Sequence, residues 1–432
     1  MRTRYLTAAA LALALAIAAP TASGRTNAAD APSAKSATTV RVWLMTDANG
    51  WMDVVNAANA TFKAQHPGAD VKVEIQSWGD HLTKFDAALA GNNAPDVIEF
   101  GNTEVAKYAA AGALADLTKY KSSLPNSKTW LQALTDAGTY RGKLYGVPYY
   151  AGARAVFYRT DQYKAAGIKT LPKSLSAFEA DQKKLMKKYG KDSNFSGLYF
   201  PGQYWYAAMS WVYDYGGAIA RFKNGKWVGS LDSSIAQKAL TRLKTLVRAS
   251  SRADKTGKED TQDQVFAQGH VASMIGNGWE WGGIIDPKTG NPDLASKLGA
   301  YPMPSHIPGK VMPTFLGGSV LSVPVTSSDK QLAVDWLKAY TSTSSMRQLA
   351  SGAGVIANTT ILASVNASKP QLAPFAKAAA RSWFIPNSPN WVQVENAKVL
   401  QNMLVAIFTN RKSVAAATKS ASKQITSILN GT

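Results

Sequence analysis

The sequence predicts an α/β fold of two lobes, and three observations lead to this prediction. The chain has 432 residues, which exceeds the size at which a single hydrophobic core stops growing. Strand and helix patterns alternate from Val40 to Phe100 in a βαβαβ order, which implies a largely parallel sheet. A helical middle section then separates this part from further apolar strands, so we expect the chain to cross between the lobes more than once.

The first predicted elements alternate regularly. VRVWLM, residues 40–45, is β-branched and apolar, and it precedes the turn TDANG and a helical pattern that begins at Met52. The strands VKVEIQ and DVIEF follow, with the helix of SWGDHLTKFDAALAG between them. Because ligands of such sheets bind where strands end and helices begin, we expect a site near the ends of these strands.

The later part of the chain alternates shorter strands with longer helices. KLYGVPYY and ARAVFYR are two successive strands, and helices dominate from Asp161 to about Gln268. VASMI, LGAYPMP and FLGGSVLSVPV are further strands. The last third is helical, with a long amphipathic stretch from Val392 to Phe408 before a basic terminal helix.

The N-terminal residues predict export. A basic start precedes the apolar run of residues 8–19, and proline and small residues follow it. That run is too short to span a bilayer, and this order of residue types is that of a secretory signal peptide. We expect a signal peptide at residues 1–24, cleaved within 21–31, and a flexible leader at residues 25–39.

The chain contains no cysteine. A domain of this size can be held by its own core without disulfides, and a cysteine for lipid attachment is also missing. No second apolar run approaches the roughly 18 residues of a membrane span. We therefore expect a protein in the periplasm or cell-wall space, or secreted, without a lipid anchor.

The formal net charge is +20, and it becomes +18 without the two arginines of residues 1–24. Such a field attracts anionic wall polymers or membrane surfaces. Nucleic acid is not expected as a partner, because the chain carries no zinc-finger spacing, no aromatic RNA-binding signature and no long basic arm. The densest basic cluster, KKLMKK at residues 183–188, is interpreted as the solvated face of a helix.

Motifs for catalysis and for metal binding are missing from the sequence. The four histidines lack metal-ligand spacing, and there is no GxSxG elbow, no Walker loop and no GxGxxG after a strand. We therefore expect no metal and no cofactor. A glycosidase needs only two suitably placed carboxylates, so a secreted glycoside-acting enzyme stays open as an alternative.

Aromatic residues concentrate at the predicted joints between elements. GNGWEWGG, residues 276–283, places Trp279 and Trp281 among glycines, a composition suited to a turn. A single tryptophan is more often part of a core, but flat rings beside acids and amides at several strand ends suit a sugar. Further aromatic residues at these joints are Trp43, Trp51, Trp78, Phe100, Tyr149, Tyr150, Tyr204, Trp205, Trp211, Trp383 and Trp391.

The order of segments resembles the extracellular solute-binding proteins that serve ATP-driven sugar importers, the family of maltose-binding protein. The resemblance is carried by APDVIEF followed by AAAGALADLT, RGKLYGVPYYAGARAVFYRTD, FAQGHVASMIGNGWEWGG, PTFLGGSVLSVP and WFIPNSPNWVQVENA. It implies a type II periplasmic-binding-protein fold, in which three crossings join two α/β lobes around a ligand cleft. It also implies a non-enzymatic role, in which the protein captures a sugar, with an oligosaccharide favoured, and delivers it to an ABC transporter permease.

The same resemblance implies which residues contact the ligand. Asp47 follows the first strand, where the family often has a polar sugar contact, and Trp279 matches a position whose ring often stacks on sugar. Trp281 is expected to pack behind it. The expected ligand contacts are Asp47, Trp51, Trp78, Phe100, Asn102, Tyr150, Arg154, Trp205, Trp279, Glu280, Gly318 and Trp383.

The predicted lobes are each built from two parts of the chain. We expect lobe one to contain residues 40–150 and 317–351, and lobe two to contain residues 151–316 and 352–432. The expected partners of this monomer are a carbohydrate ligand and the membrane subunits of an ABC permease. A glycoside-acting enzyme and a wall-adhering lectin-like protein are the alternatives.

Overall fold

The structure is a computed structural model that describes residues 38–432. The predicted signal peptide, residues 1–24, and most of the predicted leader lie outside the described residues. The first strand begins at Thr38, two residues before the predicted start. Within the described part of the chain, no helix is both long and apolar enough to cross a membrane.

Strands and α-helices alternate along residues 38–432. The strands are β1 (Thr38–Met45), β2 (Ala69–Gln76), β3 (Val97–Gly101), β4 (Thr139–Tyr140), β5 (Lys143–Leu144), β6 (Gly146–Gly152), β7 (Arg154–Arg159), β8 (Ser196–Tyr199), β9 (Ala220–Lys223), β10 (Lys226–Gly229), β11 (Val271–Asn277), β12 (Leu298–Tyr301), β13 (Thr314–Phe315), β14 (Gly317–Ser322), β15 (Ile356–Ala357) and β16 (Ser382–Trp383). The helices are α1 (Met52–Gln65), α2 (His81–Ala90), α3 (Val105–Ala110), α4 (Gln132–Ala137), α5 (Thr160–Ala165), α6 (Leu175–Tyr189), α7 (Trp205–Asp214), α8 (Ser234–Ser250), α9 (Gln262–Ala267), α10 (Glu280–Ile285), α11 (Lys330–Tyr340), α12 (Thr343–Gly352), α13 (Ala363–Ala367), α14 (Ala373–Ala379), α15 (Trp391–Asn396), α16 (Val399–Phe408) and α17 (Val414–Asn430).

Six strands form the first sheet, in the order β15-β6-β14-β3-β1-β2. β2, β1 and β3 are parallel to one another, as the βαβαβ order predicts, whereas β14 is antiparallel to both β3 and β6. Val42 and Leu44 of β1 pack in one core cluster, and Trp43 packs with Phe85 of α2 in another. Successive side chains of a strand point to opposite faces, so these two clusters lie on opposite faces of the sheet. Helices therefore cover both faces.

Four strands form the second sheet, in the order β12-β7-β11-β8. β7 is antiparallel to β11 and β12, and β8 is parallel to β11. Its main core cluster includes α7, α8, α16 and α17, and it contains the fully buried Trp211 and Trp391. The two sheets are therefore the centres of two lobes, as the sequence predicts.

The chain crosses between the sheets three times. β6 ends at Gly152 and β7 begins at Arg154, so the first crossing lies at residue 153, and the second lies between β13 and β14. β15 pairs with β6 of the first sheet, so the predicted assignment of residues 352–432 to lobe two is wrong for this strand. α13 packs on α12 and α14 packs on β7, so the third crossing lies between α13 and α14.

Two local predictions differ from the structure. The predicted long helix from Val392 to Phe408 is two helices, α15 and α16, because Lys398 between them has a φ of 50°. A residue in this left-handed region does not continue an α-helix. The predicted turn at residues 276–283 contains the end of β11 and the start of α10, so its second half is helical.

Candidate functional site

An open cleft lies where the ends of β1, β3, β6 and β14 face β7, β11 and α15. Its interior volume is about 340 Å³, which is at the lower end of the size range of small-molecule sites. Seven of the twelve predicted contacts line it. The lining residues are Asp47, Trp78, Gly101, Asn102, Thr103, Glu104, Tyr150, Arg154, Tyr206, Asn277, Trp279, Phe315, Gly317, Gly318, Ser319 and Glu395.

Trp279 lies between β11 and α10, with its side chain half-buried at the cleft. Its ring lies over Gly152, where an added Cβ would overlap it, and meets the ring of Tyr150 edge-on at 6.4 Å. Trp281 packs instead against Phe157, with 6.0 Å between ring centroids. The two tryptophans of the glycine-rich segment thus have different surroundings.

The start of α10 is held by Glu280, which is one of the predicted ligand contacts. A carboxylate oxygen of Glu280 accepts a hydrogen bond from the backbone N–H of Asn277 at 2.8 Å, and Gln262 donates to the same carboxylate. Burial raises the pKa of Glu280 to about 7. Glu280 is therefore buried beneath the cleft wall, where it fixes the backbone beside Trp279, and it does not line the cleft.

Trp78 and Asp47 form a polar and aromatic pair at the other side of the cleft. The indole N–H of Trp78 donates to the carboxylate of Asp47, and the side chain is 37% exposed. Asp47 belongs to the 3-10 turn Thr46–Trp51 that follows β1. The carboxylate is thus oriented by a ring whose face stays accessible.

Arg154 is the cation of the cleft, and aromatic rings surround it. Its Nε donates to the hydroxyl of Tyr204 at 3.1 Å, and its guanidinium lies 4.7 Å from the ring centroid of Tyr206. Glu259 is 3.7 Å away. A guanidinium held in this way keeps a fixed direction toward a ligand.

Asn102 and Gly318 shape the backbone where β3 meets β14. The side-chain amide of Asn102 donates to the carbonyl of Leu316 at 2.9 Å, and its backbone N–H donates to the carbonyl of Gly318 at 2.9 Å. Gly318 has a φ of 136°, and an added Cβ would overlap the carbonyl of Tyr150. Only glycine fits this close approach of two strands.

Two carboxyl groups that the sequence analysis did not single out also line the cleft. Glu104 accepts hydrogen bonds from the backbone N–H of Gly101 at 2.8 Å and pairs with His81 at 2.9 Å. Glu395 of α15 accepts from the indole of Trp391, and burial raises its pKa to about 8, with the nearby charge of Glu104 adding to the shift.

Glu395 also reaches the opposite lobe. The hydroxyl of Thr103, which follows β3, donates to its second carboxylate oxygen at 3.4 Å. The segment WFIPNSPNWVQVENA carried the family resemblance, but its periodicity does not show that Glu395 reaches the end of β3. Among residues 38–432, no group of three acids or histidines is arranged to hold a metal ion.

Two of the predicted contacts in lobe one lie in its core. Trp51 is 9% exposed, and its indole donates to the hydroxyl of Tyr149 at 2.7 Å. Phe100 is fully buried and stacks on Tyr108 of α3 at 4.9 Å. Alternation along β3 points Phe100 toward the helices, so only the last residue of the strand, Gly101, and the residues after it reach the cleft.

Two predicted contacts in lobe two are also core residues. Trp205 is 3% exposed and stacks on Tyr206, which takes its place at the cleft. Trp383 is 5% exposed and stacks on Tyr213 at 4.6 Å, and its indole donates to Ser210. Both rings are enclosed by α7 and the strand pair β13 and β16, so neither offers a free face.

Known proteins share both the sequence pattern and the fold. The family model for bacterial extracellular solute-binding proteins matches residues 43–347. The chain is 32% identical over 384 residues to the diacetylchitobiose binding protein DasA of Streptomyces coelicolor, covering 88% of this chain and 87% of that protein. It is 25% identical to the arabinooligosaccharide-binding protein of Bacillus subtilis, covering 63% and 62% of the two chains.

Solved structures confirm the type II periplasmic-binding-protein fold. The GacH receptor of Streptomyces glaucescens, solved unliganded and with acarbose, has a TM-score of 0.78 at 23% identity, covering 91% of this chain and 99% of that one. The sugar-binding protein MalE of Xanthomonas citri also has a TM-score of 0.78, at 20% identity, over 91% and 98%. Because the family model matches residues 43–347 and DasA is 32% identical over most of the chain, the chain belongs to the family of bacterial extracellular solute-binding proteins.

Proposed function

We propose that this protein captures a sugar, with an oligosaccharide favoured, in the cleft between its lobes and delivers it to the permease of an ABC transporter. The observation that carries this proposal is the combination of accessible aromatic faces and fixed polar groups in one cleft. Rings can stack on the C–H faces of a sugar, while carboxylates, amides and a guanidinium bind its hydroxyl groups.

The polar lining offers unused hydrogen-bonding capacity. The side-chain carbonyl oxygen of Asn277 is buried and has no hydrogen-bond partner among the described residues. A buried acceptor without a partner is costly, and a sugar hydroxyl placed in the cleft would satisfy it. We propose as ligand contacts Asp47, Trp78, Asn102, Tyr150, Arg154, Tyr206, Asn277, Trp279, Gly318 and Glu395.

Closure of the two lobes around the ligand would expel water and present both lobes to the permease at once. The hydrogen bond from Thr103 to Glu395 already joins the lobes at the cleft. We further propose that the protein acts outside the cytoplasm as a monomer, which light scattering on the purified chain would test.

Calorimetry with a sugar panel tests the proposal. Diacetylchitobiose comes first because DasA is similar over most of the chain, and maltose, lactose and arabino-oligosaccharides follow. Saturable binding without chromatographic products supports a binding protein. Cleavage products would instead identify a glycoside-acting enzyme, and salt-sensitive adhesion to wall material without sugar affinity would identify a lectin-like protein. Loss of uptake of the bound sugar on gene deletion tests the delivery step.

A further inference from the structure

We propose that a basic groove in the second lobe binds a ligand that carries two or more phosphate groups, at a site separate from the cleft. The groove lies between the C-terminal half of α8, the segment after it and the end of α16. It encloses about 740 Å³, including space open to solvent. The residues that line it are Lys244, Val247, Arg248, Ser251, Arg252, Lys255, Phe408 and Asn410. None of them lines the cleft.

In the part of the chain that the structure describes, the four cations of the groove lack acidic partners. Within residues 38–432, none of them has a carboxylate oxygen within 4.0 Å. Arg242 on the same helix is different, because it pairs with Glu179 at 2.7 Å. Asp254, next to the groove in sequence, turns its carboxylate to the backbone and hydroxyl of Thr256. The groove therefore has an excess of positive charge.

The positive charges of the groove repel one another. Lys244 and Arg248 are four residues apart on α8, a spacing at which like charges repel on a helix. Lys255 is half-buried, and its Nζ donates to the carbonyl of Ser251 at 3.1 Å. Burial and the charge of Arg252 lower the pKa of Lys255. A bound anion would reduce the repulsion between the cations and would offset the cost of burying the charge of Lys255.

The donors suit phosphate in particular. Arg248 and Arg252 each offer a planar fork that can bind two phosphate oxygens, and the two lysines add point charges. Val247 and Phe408 provide an apolar floor between them. Four positive charges are enough to balance the negative charge of more than one phosphate group. A soluble polyphosphate and an anionic lipid headgroup share this chemistry.

Titration of the purified chain with tripolyphosphate at fixed ionic strength tests the proposal. Calorimetry should give saturable binding that weakens by about tenfold or more in the Arg248→Gln, Arg252→Gln double variant, since both side chains are exposed and each supplies charge-assisted hydrogen bonds. The control is Lys187→Gln, Lys188→Gln, which removes the same charge from the exposed end of α6. It should leave the affinity nearly unchanged, and sugar affinity should be unchanged in both double variants.

Vesicles that contain cardiolipin, whose headgroup carries two phosphate groups, distinguish the two sources of phosphate. If vesicles bind and only the groove variant loses this binding, the proposal is supported with a lipid headgroup as the ligand. If tripolyphosphate binds and vesicles do not, the proposal is supported with a soluble ligand. Equal weakening in both double variants would attribute binding to net charge and overturn the proposal. Absence of saturable binding to either probe would overturn it too. Neither readout depends on whether the cleft binds a sugar.

Discussion

At the scale of single residues, side-chain direction separates residues that line the cleft from core residues. Trp279 and Trp383 both flank predicted strand ends, and both were predicted to contact the ligand. Trp279 is half-buried and faces the cleft beside Tyr150, whereas Trp383 is 5% exposed and stacks on Tyr213. Both rings lie at predicted joints between elements, and only their packing shows that one faces the cleft and the other lies in the core.

Truncation of Trp279 should weaken sugar binding with little effect on stability. We expect Trp279→Ala to lower the affinity by about tenfold or more, which corresponds to about 1.4 kcal/mol of lost contact with the sugar. The melting temperature without ligand should change little. Calorimetry and thermal unfolding measure the two effects.

Trp383→Ala is the matched control for this prediction. Because it empties a core position, it should destabilise the protein by about 3 to 5 kcal/mol and leave the affinity of the folded fraction nearly unchanged. A stable Trp279→Ala variant with unchanged affinity would remove Trp279 from the binding site.

At the scale of elements, the end of β6 determines where the Trp279 ring can lie. Gly152 is the last residue of β6, directly before the first crossing, and a Cβ there would overlap the ring. We expect Gly152→Ala to turn the ring away and to weaken sugar binding, by no more than Trp279→Ala does. Tryptophan fluorescence and calorimetry measure the two changes.

A double-mutant cycle shows whether this effect passes through the ring. The variant with both Gly152→Ala and Trp279→Ala should bind sugar as Trp279→Ala alone does, because the ring that the new Cβ displaces is already absent. Additive losses of binding free energy would mean that Gly152 acts on the cleft by another route.

At the scale of the whole molecule, buried acids make stability depend on pH. Burial raises the pKa of both Glu99 and Glu280 to about 7, from an ordinary value of 4.5. The folded state therefore keeps protons that the unfolded chain releases. The resulting stability is fully present below pH 4.5 and is lost as pH rises through 7. Each carboxyl can contribute on the order of 3 kcal/mol.

We therefore expect the free energy of unfolding, measured with urea, to fall between pH 5 and pH 8. Glu99→Gln should reduce this slope, because the neutral side chain can still accept the hydrogen bond from the backbone N–H of Met45. Asp116→Asn is the control. Hydrogen bonds from Thr118 and Lys143 lower the pKa of this carboxyl to about 2, below the tested range. Stability that increases from pH 5 to pH 8 would contradict the prediction.

The sequence by itself determined the features that depend on local periodicity. The apolar and β-branched segments of β1, β2 and β3 and the helical patterns between them predict three parallel strands, which the structure confirms. A site near the ends of these strands is also expected from the sequence, and Asp47 and Asn102, which follow β1 and β3, line the cleft. These inferences need only neighbouring residues.

Only the tertiary structure decided which distant segments meet and which way their side chains point. β15 joins the first sheet because Ile356 and Ala357 pair with the free edge of β6. Glu395 comes close to Thr103, and Tyr206 rather than Trp205 faces the cleft. Each of these contacts joins segments that are far apart in sequence, so local patterns cannot specify them. The same packing leaves four cations together beside the end of α16 without acidic partners among residues 38–432.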